Sequence, residues 1–231
     1  MSRPRLLELF SGTGSIGRAF EAKGWDVVSV DLRADFNPTI VADIMTWDYT
    51  TLPRDHFNML WGSPVCTHYS RARTRARTPR DLEGSDAMVQ RTIDIFNYFV
   101  GAEYWGFENP RSGLLPNRPV VQGLAYKDIT YCRYGFRYQK PTRIWVSEPL
   151  SQRWNPKPPC TFANPCDCLV VVREGNRTRR FHPESAQRGP SKRQQKDGQE
   201  SRHSQEQLYS MPPELCDELA ASVTQALEEL D

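Results

Sequence analysis

Leu6-Leu7-Glu8-Leu9-Phe10-Ser11-Gly12-Thr13-Gly14-Ser15-Ile16-Gly17 is the stretch that decides the fold. Its apolar start predicts a buried strand, its glycines predict a tight turn, and a helix is expected to follow and to end at Gly24. Glycines let the backbone approach a ligand, and the first amides of a helix offer hydrogen bonds to polar or negative groups. The order strand, turn, helix therefore predicts a ligand-binding loop, although such a glycine motif is weak evidence when it stands alone.

Two more strands follow, and each ends in an acidic residue. Residues 25–30 predict a strand that ends at Asp31, about twenty residues after the glycines, where a carboxylate can hold the hydroxyls of a ribose. The alternative interpretation of Asp31 is a helix cap or a surface acid. Residues 39–42 predict a third strand with Asp43 at its end. Alternating strands and helices indicate the α/β class with a parallel, doubly wound sheet.

Cys66 follows the next predicted strand, residues 57–61, which Gly62 and Pro64 end. A thiol at the carboxyl end of such a strand is a candidate nucleophile, because it needs only a modestly lowered pKa to react. A run of arginines comes next, and its field is expected to favour the thiolate and attract a polyanion: Arg71, Arg73, Arg75, Arg77 and Arg80. The alternative is a half-buried structural cysteine beside a solvated basic loop.

The middle of the chain predicts one helix and three strands. Ser85 is the expected N-cap of the helix, and apolar residues at helical spacing mark its buried face: Val89, Ile93, Phe96 and Val100. Residues 104–107 predict a strand that ends in Glu108-Asn109-Pro110, on the same rim as Cys66. Residues 129–133 and 143–146 predict a final strand pair.

The composition of the sequence changes at Pro149, because several prolines follow and interrupt regular secondary structure. Three cysteines and a histidine are scattered here, at a spacing unlike that of a standard zinc finger: Cys160, Cys166, Cys168 and His182. They predict either a zinc site or thiols that fill a small irregular core. The polar run 187–207 is expected to order only on a partner, and a last amphipathic helix is expected to begin after Met211.

Composition limits the class of protein. The chain has 231 residues, 38% of them hydrophobic and 25% charged, with a net charge of +2, which is typical of one globular core with an appendage. The apolar run near the start is too short for a signal peptide or a membrane span, so an intracellular, cytoplasmic protein is expected. In that compartment the six cysteines are expected to be thiols or metal ligands. Nothing in the sequence demands more than a monomer.

Taken in order, these motifs resemble the DNA cytosine methyltransferases that methylate carbon 5 with S-adenosyl-L-methionine, in the compact form found in phages and viruses. Residues 10–14 are similar to the family's cofactor loop, residues 62–66 to its Pro-Pro-Cys loop, and residues 108–110 to its Glu-Asn-Val. The resemblance covers residues 6–147 and 208–230. It implies a Rossmann-like fold with a catalytic domain at 1–148, a small Cys/Pro-rich and basic target-recognition insert at 149–207, and a helix at 208–231 that returns to the catalytic domain.

The resemblance also implies roles for individual residues. Cys66 would attack carbon 6 of a flipped-out cytosine, Glu108 would hydrogen-bond the ring, and Arg143 with Lys140 would neutralise the carbonyl oxygen, because Pro141 stands where the family has an arginine. The residues expected to bind S-adenosyl-L-methionine are Phe10, Ser11, Gly12, Thr13, Gly14, Ser15, Ile16, Asp31, Leu32, Asp43, Ile44 and Pro64. Those expected to contact DNA are Ser70, Arg71, Arg73, Arg75 and Arg77.

Two rival functions remain open at this point. The same chemistry on RNA has almost identical motifs, and only a substrate assay separates the two. A nucleic-acid-binding protein that has lost catalysis is favoured by Pro141 and by the short insert, whereas the joint presence of Cys66, Glu108 and Asp31 argues against it. A methyltransferase of exocyclic amines needs an Asn- or Asp-Pro-Pro-aromatic run after the fourth strand, and this chain has Ser-Pro-Val-Cys there.

Overall fold

Seven strands form the central sheet in the computed structural model, which describes residues 3–74, 76–186 and 203–229. They are β1 (Arg5–Leu9), β2 (Asp26–Asp31), β3 (Ile40–Val41), β4 (Met59–Gly62), β5 (Tyr104–Pro110), β6 (Tyr126–Thr130) and β7 (Pro141–Val146). Their order across the sheet is β3-β2-β1-β4-β5-β7-β6. Strands β1 to β5 pair in parallel, and β7 is antiparallel to both β5 and β6. The carboxyl ends of β1, β2, β4 and β5 therefore share one edge of the sheet.

Helices cover both faces of this sheet. They are α1 (Ser15–Glu21), α2 (Leu82–Tyr98), α3 (Glu148–Arg153), α4 (Gln205–Tyr209) and α5 (Pro213–Glu228). Alternate residues of a strand point to opposite faces, so Met59 and Trp61 of β4 pack in the layer with α1 and α5, while Leu60 packs in the layer with α2. The predicted Rossmann-like architecture, with a mostly parallel, doubly wound sheet, is confirmed.

Helix α2 differs from its prediction at both ends. Its N-cap is Asp81, whose side chain accepts a hydrogen bond from the Gly84 amide at 2.8 Å. Ser85, the predicted cap, lies inside the helix, and its hydroxyl donates to the Asp81 carbonyl oxygen at 2.7 Å. Val100 lies beyond the helix and is 64% exposed. A carboxylate one turn earlier is the better acceptor for free helix amides, so it sets the start.

The segment after Ser147 contains more regular structure than its prolines suggested. Beyond α3, strands β8 (Val170–Glu174) and β9 (Arg177–Phe181) form a separate antiparallel hairpin. The polar run expected to order on a partner lies largely outside the described residues, and its end, from Gln205, forms α4. No helix in the described parts of the chain is long and apolar enough to cross a membrane.

Candidate active site

The glycine loop between β1 and α1 has an unusual backbone. Phe10, Gly12 and Gly14 all have positive φ angles, of 55°, 48° and 66°. This conformation suits glycine but strains phenylalanine, and such strain concentrates at functional sites. The loop is also fixed to β2, because the Asp31 carboxylate accepts a hydrogen bond from the Gly12 amide at 2.8 Å and Ser11 N donates to the Val30 carbonyl oxygen at 3.2 Å.

The residues predicted to hold the cofactor continue along the same rim. Leu32 follows Asp31 and is 68% exposed, an apolar side chain open beside a carboxylate. Asp43 is exposed and accepts from the Met45 amide at 3.0 Å, while Ile44 is buried in the core. An exposed leucine beside an acid with free lone pairs fits the base and ribose of an adenosine. The residues therefore fit the adenosine end of S-adenosyl-L-methionine.

The chain after α4 closes on the glycine loop from the other side. Thr13 and Ser15 share a hydrogen bond between their hydroxyl oxygens at 3.1 Å, and the Met211 amide donates to the Ser15 hydroxyl at 3.2 Å. Ile16 is buried against the layer that includes α5. The segment that leads into α5 is thus held beside the glycine loop.

The loop that carries Cys66 is held by two neighbouring strands. Its Ser63 amide donates to the Leu9 carbonyl oxygen at 3.2 Å. The Asn109 side-chain amide donates to the Pro64 carbonyl oxygen at 2.9 Å, and both residues are buried. This second bond joins the end of β5 to the Cys66 loop and so fixes Cys66 relative to Glu108, the residue before Asn109.

Glu108 and Cys66 share one electrostatic environment. Burial raises the pKa of the Glu108 carboxyl, and the positive charge of Lys140 opposes that rise. Glu108 Oε2 is buried without a hydrogen-bond partner among the described residues. Burial also raises the pKa of the Cys66 thiol, the Glu108 charge raises it further, and Lys140 lowers it. The prediction that the arginine run favours the Cys66 thiolate is wrong for the described part of that run: burial raises the pKa of the thiol, and the cation that lowers it is Lys140.

Lys140 and Arg143 are placed differently from one another. Lys140 Nζ donates to the Leu208 carbonyl oxygen at 3.0 Å and lies 4.6 Å from the centre of the Tyr131 ring. Arg143 instead forms a two-point ion pair with Asp128, at 2.8 and 2.9 Å.

Strand register explains the difference. Arg143 lies opposite Asn109 in the β5–β7 pairing, whereas Glu108 lies opposite Ile144, and neighbouring residues of a strand face opposite ways. The prediction that Arg143 faces the same site as Glu108 is therefore corrected. Asp128, which pairs with Arg143 across β6 and β7, was not anticipated.

The arginine loop contains both free and engaged side chains. Arg71 and Arg77 are exposed, and within the described ranges neither forms a hydrogen bond or an ion pair. Arg73 donates to the Thr78 carbonyl oxygen at 2.8 Å and to its hydroxyl at 2.6 Å, so it shapes the loop. Arg75 lies outside the described residues.

The base of the arginine loop is anchored. The Ser70 hydroxyl accepts from the Ala72 amide at 3.2 Å, and Arg80 donates to the Ser70 carbonyl oxygen at 3.1 Å. Tyr69 is fully buried, and its hydroxyl donates to Asp86 at 2.8 Å. Two free arginines thus project from a loop fixed beside Cys66.

A second cluster of reactive side chains lies in the insert. Ligand atoms of four residues lie within 4.8 Å of one another: Cys132, Cys160, Cys166 and His182. Cys168, which the sequence suggested as the fourth member, is outside this set. Its sulfur lies 3.4 Å from that of Cys166 and 3.7 Å from the Phe136 carbonyl oxygen. Cys132 is the fourth member of the cluster instead of Cys168. Sequence spacing did not indicate Cys132, because it precedes the insert by many residues.

Comparison with known proteins decides the family. No family model matches the chain. The "Probable DNA (cytosine-5)-methyltransferase" of Frog virus 3 is 32% identical over 157 residues, which are 62% of this chain and 70% of that protein. The chain belongs to the DNA (cytosine-5)-methyltransferase family.

One solved structure shows the methyltransferase fold over nearly the whole chain. The Entamoeba histolytica methyltransferase EhMeth has a TM-score of 0.53 at 12% identity, and the match covers 98% of this chain and 99% of that one. A putative DNA modification methyltransferase encoded within an E. coli prophage has a TM-score of 0.48 at 14% identity, covering 67% of this chain and 51% of that one. This methyltransferase thus spans about half the length of the prophage structure.

Proposed function

We propose that this methyltransferase transfers a methyl group from S-adenosyl-L-methionine to carbon 5 of cytosine in DNA, through a covalent adduct with Cys66. The observation that carries the proposal is the bond between Asn109 and the Pro64 carbonyl oxygen, 2.9 Å long, which holds the thiol loop against the strand end that carries Glu108. Cys66, a candidate nucleophile, and Glu108, a buried acid, thus lie at the same edge of the sheet. This arrangement is suited to attack of a thiolate on an electron-poor ring that the acid hydrogen-bonds.

Glu108 is suited to act as an acid. Its raised pKa favours the protonated carboxyl, and its buried Oε2 has no partner among the described residues. A protonated carboxyl can donate to the ring nitrogen N3 of cytosine and accept from the exocyclic amine. Stronger hydrogen bonding to N3 stabilises the negative charge that accumulates on the ring when the thiolate adds to carbon 6.

The two protonation states are linked. Because the Glu108 charge is one of the two influences that raise the Cys66 pKa, protonation of Glu108 lowers the pKa of the thiol. Lys140 lowers it further, and its ammonium is the cation that acts on both groups. We therefore assign to Lys140, rather than to Arg143, the stabilisation of charge at the carbonyl oxygen of the base.

The reaction then proceeds by addition and elimination. The Cys66 sulfur bonds to carbon 6, which turns carbon 5 into an enamine-like nucleophile that can take the methyl group. S-adenosyl-L-methionine supplies an electrophilic methyl group when bound. Residues Phe10 to Ile16, Asp31 and Leu32 would hold it with Asp43, Ile44 and Pro64. Solvent water then takes the carbon 5 proton, the electrons of that bond re-form the double bond between carbons 5 and 6, and the Cys66 sulfur leaves with the electrons of the carbon 6–sulfur bond.

DNA is the proposed substrate, and the base must leave the duplex. Cytosine within a stacked helix is out of reach of a thiol at a strand end, so it must flip into the site. Ser70 and the exposed side chains of Arg71 and Arg77, with Arg73 and Arg75, would contact phosphates around it. The insert at 149–207 would contact the bases beside the target.

The test is transfer of labelled methyl groups to DNA and to RNA of the same sequence. We expect the native protein to label DNA and to be trapped covalently on DNA that carries 5-fluorocytosine. Cys66→Ala should abolish both signals, while Cys168→Ala, which replaces a cysteine of the insert and leaves Cys66 in place, should keep them. Labelling of RNA alone would contradict the substrate, and labelling of DNA by Cys66→Ala would contradict the covalent mechanism.

A further inference from the structure

Three thiols and one imidazole from three separate segments of the chain converge beside the active-site domain. Cys132 lies in the short helical turn Tyr131–Tyr134 after β6, Cys160 and Cys166 lie in the loop before β8, and His182 directly follows β9. We propose that these four residues bind one structural zinc ion.

The distances suit a tetrahedral ion. Zinc bound to sulfur at about 2.3 Å and to nitrogen at about 2.0 Å requires separations of about 3.8 Å between sulfurs and about 3.6 Å between sulfur and nitrogen. His182 Nε2 lies 3.3 Å from the Cys166 sulfur and 3.7 Å from the Cys160 sulfur. All four ligand atoms lie within 4.8 Å of one another. Small shifts of the side chains complete the site.

Backbone groups around the cluster already support thiolates. The Cys166 amide donates to the Cys160 sulfur at 3.3 Å, a bond that stabilises negative sulfur. The Cys160 amide donates to the Thr130 hydroxyl at 2.9 Å, and the Gln139 side chain donates to the Cys160 carbonyl oxygen at 3.0 Å. These bonds fix the first cysteine of the loop against the end of β6, next to Cys132.

The rival explanation, thiols filling a small core, does not account for the insert. Among the described residues, the local buried cluster consists of Cys132, Cys160 and Cys166, with Cys168 and Leu169 partly buried against it. The hairpin of β8 and β9 is mostly exposed or half-buried. A two-stranded hairpin is marginal in water without a packed face, so it needs another source of stability. A metal ion supplies that in small domains that lack a core.

The cluster is also reachable from solvent. A surface depression of about 220 Å³ opens onto Cys132 and Cys166. It gives a metal ion a path to the thiols.

The ion would join the insert to the active site. Cys132 directly follows Tyr131, whose ring lies under the Lys140 ammonium. Zinc would therefore fix the turn that positions this lysine. That consequence rests on the proposed function, whereas zinc binding itself does not.

The test is zinc content and coordination of the full chain purified without added chelator. We expect about one zinc per chain, with X-ray absorption showing three sulfurs at about 2.3 Å and one nitrogen at about 2.0 Å. Cys132→Ser should reduce the zinc content to a trace. Two matched variants should keep it, because neither residue belongs to the set of four ligands: Cys168→Ser and Cys216→Ser.

Several results would overturn the proposal. One is native protein without zinc that also fails to take up cobalt, judged by thiolate-to-cobalt charge-transfer absorption. Another is loss of zinc in Cys168→Ser with retention in Cys132→Ser, which would assign the ion to another ligand set. If Cys132→Ser does not fold, the sulfur count of the native protein decides: two sulfurs, or a disulfide between Cys166 and Cys168, would refute the site.

Discussion

Replacing Asn109 with alanine tests the bond on which the proposed active site depends. The Asn109 side-chain amide is fully buried and donates to the buried Pro64 carbonyl oxygen at 2.9 Å. Alanine leaves that carbonyl oxygen unpaired, which costs about 1–3 kcal/mol. It also removes Asn109 Oδ1, which is buried without a partner among the described residues, so part of the cost is recovered. We expect a loss of about 1–2 kcal/mol in the free energy of unfolding.

The effect on catalysis should exceed the effect on stability. The bond fixes the Cys66 loop relative to Glu108, and a displacement of about 1 Å in a reacting group can cost about a hundredfold in rate. We therefore expect kcat for methyl transfer to fall about a hundredfold. Affinity for S-adenosyl-L-methionine should stay unchanged, because the contacts between Gly12 and Asp31 are untouched.

Asn58→Ala is the matched control. Asn58 Oδ1 accepts a hydrogen bond from the Arg5 amide at 2.9 Å, at the amino end of β1, which is the edge of the sheet away from Cys66. Urea unfolding and methyl transfer are measured for both variants at conditions where each is fully folded. Equal losses of kcat in the two variants, or native kcat in Asn109→Ala, would refute the reasoning that this bond positions the thiol.

Three further perturbations have clear expected signs. Burial raises the pKa of the Glu8 carboxyl from 4.5 to about 7. Between these two pH values the native protein keeps the Glu8 proton and the unfolded protein has lost it. The free energy of unfolding therefore falls as the pH rises from 4.5 to about 7. Glu8→Gln should remove this dependence and stabilise the protein at pH 8 by up to about 3 kcal/mol, measured by urea unfolding at pH 5 and pH 8. Lys140→Met should raise the pKa of Cys66 further and so slow alkylation of the thiol by iodoacetamide at fixed pH. Lys140→Arg keeps the positive charge and should leave the alkylation rate unchanged. An unchanged rate in the methionine variant would contradict the role of Lys140 in lowering the Cys66 pKa. Arg71→Ala and Arg77→Ala should each lower the slope of DNA affinity against salt by about 0.9 if each contacts one phosphate, and an unchanged slope would exclude that contact.

Local sequence patterns predicted the parts of the site that depend on neighbouring residues. The strand, glycine turn and helix of residues 6–21 formed as expected, because the positive φ angles at Gly12 and Gly14 are a property of the turn itself. Asp31 reaches the Gly12 amide because a parallel β1–β2 pair brings consecutive strand ends together. Position at a strand end was thus sufficient to predict that Asp31 lies next to the glycine loop.

Contacts between distant segments could not be predicted in the same way. The pairing of Arg143 with Asp128 depends on the register of two antiparallel strands, and a shift of one residue would turn Arg143 to the other face. Cys132 joins the cysteines of the insert only because β6 ends beside the loop of Cys160. Among the described residues, the charges that act on the pKa of Cys66 likewise come from Glu108 and Lys140, both far along the chain from the thiol.

The raised pKa values of Cys66 and Glu108 suggest why the thiol and the acid are useful together. Before a base enters, burial favours the protonated form of both groups, and a protonated thiol is a poor nucleophile that resists alkylation and oxidation. When a cytosine enters, its N3 atom can accept a hydrogen bond from the protonated Glu108 carboxyl. This hydrogen bond favours the neutral carboxyl while negative charge accumulates on the ring. The thiol then needs to lose only its own proton beside Lys140. Reactivity of Cys66 is in this way tied to the presence of the base it attacks.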